Sequence, residues 1–195
     1  MIKFPEYKET TKDDGITSSL KAAVNTGMIA LGQRYIIEGV PITCVDIDND
    51  KYIFSVDDIY KRAPHSQIKS ILEELYTTGT IDGASVLPLS MMKDIDFLFV
   101  PSEYQVFGKN PYGTREKDDD HQFEWYKRGD VVRVKGYRGN KDCSYDQGDT
   151  CSWWLCTVHS GYSTYCCIVN YYGHADYSYA SDSYGVPVFF QMTRE

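Results

Sequence analysis

The sequence predicts an α+β fold from three observations. One stretch has helical periodicity, several short runs are rich in β-branched and aromatic residues, and turn-forming residues punctuate them. Ser66 to Tyr76 reads as the helix. Ile68, Ile71, Leu72 and Leu75 fall at i, i+3, i+4 and i+7, Ser66 stands where a cap belongs, and Gly79 lies just past the end. Gln33 to Ile47, the turn Asp48-Asn49-Asp50 and Tyr52 to Val56 together predict a hairpin. Ile95 to Val100 is a further strand, Gly108 to Gln122 a polar loop, and Val131 to Lys135 an edge strand. Residues 1–27 are dominated by charges and Thr/Ser, with only a faint apolar pattern at Leu20, Ala22 and Val24. They are expected to form an arm or linker before a domain spanning 28–195.

Composition narrows the function. A chain of 195 residues is sized for one domain with a real core. A net charge of −8 argues against a general nucleic-acid or anionic-membrane binder. No apolar run approaches the roughly 20 residues of a membrane span. Met1 to Asp14 has no apolar h-region, so no secretory signal is expected. The six cysteines form no CxxC pair and read as mostly free thiols made in a reducing cytosol.

The C-terminal quarter is different. Cys151 to Thr193 contains no Lys, Arg or Glu, and its only charges are Asp176 and Asp182. Seven tyrosines crowd there with Ser, Asn, Asp, His and Gly, the residues that adaptable binding surfaces favour. Lys, Glu, Gln, Met and Trp make up 33 of residues 1–154, a rate that would put about eight in Leu155 to Phe190. That window holds none. These are the residue types that no pyrimidine-ending codon encodes. Burial explains a missing Lys or Glu, but not a missing Met or Trp beside so many Tyr.

The stretch Trp153-Trp154-Leu155, then Cys167-x-Val169, Gly173-x-Ala175, Ala180 and Gly185-Val186-Pro187, resembles the variable proteins of diversity-generating retroelements, most closely those of gut Firmicutes and their phages. Upstream, Gly32 to Tyr35, Val45 to Asp48, Phe99 to Glu103 and Val106 to Gly108 resemble a bacterial domain of unknown function linked to them. The resemblance covers about residues 28–195. It implies a C-type lectin-like fold with a variable region of about 153–190. It also implies error-prone copying in which adenines of Asn codons become any base, leaving pyrimidine-ending codons. One departure is visible: relatives often end GV-x-P, whereas here Pro187 directly follows Val186.

The resemblance implies that Trp153, Trp154 and the residues of the matching frame pack the scaffold, while the residues between them bind ligand. Those are Cys156, His159, Tyr162, Tyr165, Ile168, Asn170, Tyr171, Tyr172, His174, Asp176, Tyr177, Tyr179, Asp182 and Tyr184. Alternation along a strand sets Ile168 and Asn170 opposite Cys167 and Val169, and His174 and Asp176 opposite Gly173 and Ala175. The expected function is non-catalytic recognition of a protein or glycan on a cell surface, with display on a virion tail or bacterial surface. No nucleic-acid partner, membrane insertion, metal or other cofactor is expected. The rivals are an enzyme on the related formylglycine-generating-enzyme fold and a structural phage-tail subunit.

Bland readings account for the remaining clusters. Asp46-x-Asp48-x-Asp50 mimics a calcium loop but has Lys51 where Gly belongs and Asp57 where Glu belongs, so it reads as a charged hairpin turn. Asp118-Asp119-Asp120-His121 reads as a solvated loop, and Lys127, Arg128, Arg133, Lys135, Arg138 and Lys141 as a solvated basic hairpin. His159, His174, Asp176 and the cysteines match no zinc spacing. No nucleophile elbow, phosphate loop or zinc-protease motif is present, and adjacent Cys166-Cys167 does not reproduce the paired thiols of the formylglycine-generating fold.

Overall fold

The computed structural model describes residues 17–114, 121–129, 133–138 and 150–195. Two five-stranded sheets organise it. In the first, β1 (Arg34–Ile37), β2 (Val40–Asp48) and β3 (Lys51–Val56) are successive neighbours. β15 (Phe189–Thr193) adds to β3, and β8 (Phe97–Phe99) forms the far edge. The second runs from β13 (Ala175–Tyr179) through β12 (Tyr165–Val169), β11 (Trp153–Val158) and β14 (Tyr184–Gly185) to β5 (Arg62–Ala63). A three-stranded sheet joins β10 (Thr150–Cys151), β9 (Lys135–Tyr137) and β4 (Asp58–Ile59), and β6 (Thr80–Ile81) pairs with β7 (Ala84–Ser85). Pairing is antiparallel except between β4 and β9 and between β11 and β14. Helices α1 (Thr17–Thr26), α2 (Ile68–Thr78), α3 (Leu89–Met92) and α4 (Glu103–Phe107) complete an α+β fold of mostly antiparallel sheets.

Local chemistry explains most boundaries. The hairpin expected from Gln33 to Val56 is three strands rather than two. Glu38 and Gly39, with φ of 49° and 83°, make a tight turn that folds β1 back on β2. Asn49, with φ of 55°, turns β2 into β3 where the Asp-Asn-Asp run predicts it. α2 buries Ile68, Ile71 and Leu75 and ends on Gly79 in the left-handed region. Ser66 does not cap it. It lies inside a 3-10 turn, His65–Gln67, and the helix begins at Ile68 with no side-chain cap.

The arm expected over residues 1–27 is overturned in its second half. Thr17–Thr26 is helical, and Leu20 and Val24, one turn apart, are buried in the core. Two further contacts tie it to the end of β15. Lys21 Nζ donates to the Thr193 carbonyl at 2.9 Å, and Arg194 Nε donates to the Asn25 carbonyl at 2.9 Å. A stripe of two buried residues is too narrow to stand out from the polar residues around it.

The core is double. Phe54, Phe190, Trp154, Cys166 and Ile168 belong to one cluster, with α1 and α2 residues packed into it. Ile53, Phe189, Trp153, Leu155, Cys167 and Val169 belong to a second, with Phe123 and Tyr126. Consecutive residues of β3, β15, β11 and β12 therefore feed opposite clusters, and these strands are buried on both faces. Trp153 and Trp154 are both fully buried, and their indole N–H groups donate to the carbonyls of Arg133 (3.0 Å) and Ala63 (2.8 Å).

The solvated basic hairpin is also corrected. Lys135 is buried against the faces of Trp153 and Phe189, and its ammonium donates to Ser55 Oγ and the Val56 carbonyl. Arg133 donates to the carbonyls of Val106 and Tyr126, and Arg138 pairs with Asp58 at 2.7 Å. Asp46, expected in a charged turn, is buried instead. It accepts the Glu124 amide at 3.0 Å and pairs with His121 at 2.7 Å, so His121 belongs to a tie rather than a free acidic loop. Val131, Val132, Lys141, Cys143 and Asp118 to Asp120 lie outside the described residues.

Candidate functional site

β12 and β13 pair residue by residue, Tyr165 with Tyr179, Cys167 with Tyr177 and Val169 with Ala175. Paired residues share a face of the sheet. On one face Cys167 and Val169 are buried in the second cluster, and beyond them the same face carries Tyr165, Tyr177 and Tyr179 outward. The loop after β11 returns His159 and Tyr162 to this face. His159 lies 4.6 Å from Tyr177 and 5.2 Å from Tyr162, and Tyr165 lies 4.2 Å from Tyr179 and 5.5 Å from Tyr177, centroid to centroid. These rings form one contiguous platform, on which Tyr162 is 62% and Tyr179 52% exposed. Neighbouring rings lie 4.2–5.8 Å apart, centroid to centroid, and so touch one another. The platform is thus suited to covering a ligand surface, by ring burial and hydroxyl hydrogen bonds, rather than to engulfing a small molecule. The Tyr165 hydroxyl is pushed up to about 12, chiefly by its hydrogen bond with Tyr179.

A second group sits at the other end of the hairpin. Gly173, with φ of 83°, closes the turn, and the Asn170 side-chain oxygen accepts the amides of Tyr172 (3.0 Å) and His174 (3.1 Å). The Tyr171 and Tyr172 rings lie 4.2 Å apart, centroid to centroid, tilted by 49°, with Tyr172 and His174 exposed. The hydrogen bond to Tyr172 raises the Tyr171 hydroxyl. Asp176 pairs with Ile168 on the opposite face from Tyr177, and Asp182 accepts Ser178 Oγ at 2.7 Å on that same face. The predicted set therefore divides between two faces and two ends of one hairpin, and does not converge on a single surface.

Three predicted members leave the group. Ile168 alternates with Cys167 as expected, but its face is buried against the first core cluster and it is 3% exposed. Tyr184 is half-buried, edge-on to Trp154 at 5.0 Å, and packs the core. Cys156 is exposed, but it lines two adjoining grooves of about 880 and about 590 Å3 that it shares with Phe97, Phe99 and Val100. Frame residues behave unevenly. Cys167, Val169, Gly173 and Gly185 are buried, while Ala175 and Ala180 are half-buried.

Two residues outside the window join the site. Tyr112 places its ring 4.9 Å from Tyr177 and 6.3 Å from His159. Beneath it Glu103 is fully buried, accepting the Gly113 amide at 2.8 Å and the Tyr112 amide at 3.4 Å. Burial raises the Glu103 carboxyl. Burial first, and then Glu103 beside it, raises the Cys167 thiol. Burial likewise raises Cys166, whose side chain points into the other core cluster. Glu103 falls in the matched stretch Phe99 to Glu103, but nothing local marks it or Tyr112 as part of the site. Among the described residues no three His, Cys, Asp or Glu side chains converge as a metal site, Cys44, Cys166 and Cys167 are free thiols, and no helix is long and apolar enough to cross a membrane.

A family described as a domain of unknown function, DUF6273, matches residues 58–193. The chain belongs to that family. The match takes in β11, β12, β13 and β15 and every residue of the platform, while β1, β2 and β3 precede it. No curated protein and no solved structure matches the chain.

Proposed function

We propose that this DUF6273 chain is a non-catalytic recognition protein, a retroelement-diversified variable protein whose scaffold is C-type lectin-like. The observation that carries the proposal is the platform of His159, Tyr162, Tyr165, Tyr177 and Tyr179. It is built from a window without Lys, Glu, Gln, Met or Trp and rests on β12, whose Cys166 to Val169 are core. Its ligand is a protein or glycan of a cell surface, bound through aromatic burial and hydroxyl hydrogen bonds. Display on a virion tail or bacterial surface follows from the same resemblance. The cysteines support a binding role over a thiol enzyme. Cys166 and Cys167 face different cores, and burial raises both thiols, away from the thiolate that a nucleophile needs.

The test is the genomic locus together with an array. A nearby reverse transcriptase and an Asn-rich near-copy of the segment, with AAC or AAT opposite Tyr162, Tyr165, Tyr172, His174, Tyr177 and Tyr179, is the expected finding. Template positions without adenine opposite most of these remove the reading. On arrays of purified bacterial surface proteins and glycans, retained spots should change little between low and high salt, because the platform carries no acidic or basic side chain other than His159.

A further inference from the structure

We propose that Glu103 is the positioning residue of the aromatic platform: its carboxyl group clamps the backbone of Tyr112 and Gly113, and so sets a tyrosine from outside residues 155–190 as a fixed ring among the others. The word fixed rests on the reading of that window as diversified; the clamp itself does not.

Four observations converge. A carboxyl group that is 0% exposed is costly unless its partners compensate it, so its place is not incidental. Its bonds run to the loop: Oε2 accepts Gly113 N and Tyr112 N, while the buried Oε1 has no partner. Glu103 is itself held rigidly. Its amide donates to Thr157 Oγ1 at 2.9 Å, and Ser102 and Gln105 close a reciprocal cap at the start of α4. Gly113 is shaped to the clamp. A Cβ there would stand 2.2 Å from the Thr157 methyl, 3.1 Å from Glu103 Oε2 and 3.2 Å from Cys167 Sγ.

From the clamp outward, the Tyr112 carbonyl accepts the Ser160 amide at 2.9 Å, and Gly113 bridges His159. This hydrogen bond is backbone to backbone and survives any residue but proline at position 160. The clamp, the bridge and this bond leave the Tyr112 ring against Tyr177. A scaffold carboxyl thereby orders part of a surface whose other rings come from residues 159–179.

The experiment compares amide hydrogen exchange with nitration by tetranitromethane, read peptide by peptide, in the full chain. In Glu103→Leu the Tyr112 and Gly113 amides should exchange about tenfold faster or more, and Tyr112 should nitrate several-fold faster. Glu103→Gln keeps an acceptor oxygen and should hold both near wild type. Val106→Ala weakens the same short helix without touching the clamp. It should lower the melting temperature and leave the nitration of Tyr112 unchanged. Gly113→Ala, which pushes the loop off an intact carboxyl, should release Tyr112 as Glu103→Leu does, and it decides the matter if Glu103→Leu does not fold. Unchanged rates in Glu103→Leu or Gly113→Ala overturn the clamp. So does release of Tyr112 by Val106→Ala, or a Glu103→Gln variant that behaves like Glu103→Leu. A locus without a template copy removes the diversified reading and leaves these rates where they are, so the two failures are told apart.

Discussion

β12 and β13 are hydrogen-bonded neighbours of equal length, yet they live in different surroundings. Cys166 to Val169 are buried on both faces, divided between the two core clusters. Ala175 to Tyr179, across the ladder, are half-buried or exposed, and β13 is the sheet's edge. Both strands lie in the same window lacking Lys, Glu, Gln, Met and Trp. The contrast teaches that a shared composition does not set exposure: the layer above or below each residue decides whether it meets solvent.

The sharpest way to break that contrast is at the strand beside β12. Trp153→Ala and Trp154→Ala should each cost about 3–5 kcal/mol in chemical denaturation. Ile168→Ala comes next, at about 2–5 kcal/mol, because it opens a cavity in the first core cluster. An Ile168 variant as stable as wild type would return that residue to the surface set.

Lys135 sharpens the comparison from below. Burial pushes its amine down to about 8 from an ordinary value of 10.5, partly opposed by Asp57 and Asp58. Below pH 8 the folded chain bears the buried charge in full. Between about 8 and 10.5 the unfolded chain binds the proton that the folded one has released, so stability rises with pH across that window. Relative to Lys135→Met, wild type should gain on the order of 3 kcal/mol over it, read from urea midpoints at stepped pH. A flat difference would mean that the ammonium is solvated after all.

Smaller effects belong to the exposed strand and its turn. Tyr177→Ser should cost about 1 kcal/mol, because three rings touch it. Tyr172→Ser and His174→Ser should stay under about 0.5 kcal/mol in thermal melts. Equal losses at Tyr177 and Tyr172 would show that the platform and the turn are not energetically distinct.

Legibility in the sequence follows the same division. α2 and its Gly79 stop, the Asn49 turn and the two tryptophans are readable because one short stretch of chain contains all the information. The burial of Ile168 is legible in the run Cys166-Cys167-Ile168-Val169, the mark of a strand covered on both sides, whereas its place between frame positions sets it in the surface group. α1 shows only Leu20 and Val24 to a reader of periodicity. Lys135, Asp46 and Glu103 are charged residues whose burial depends on partners far along the chain, Ser55, Glu124 and Gly113 among them, and no local window carries that information. Tyr112 reaches the site for the same reason: its place is set by a clamp, not by spacing.

The adjacent indoles of β11 have a further consequence for how the molecule comes apart. Trp153 enters one core and Trp154 the other, so a single strand is riveted into both. Neither core can open by peeling away its own layer, because β11 must withdraw from both together. Melting should therefore be all-or-none. The slowest-exchanging amides of β2 and of β12 should converge on one opening free energy, so that the surface tyrosines stand on a single cooperative unit rather than on a detachable lobe.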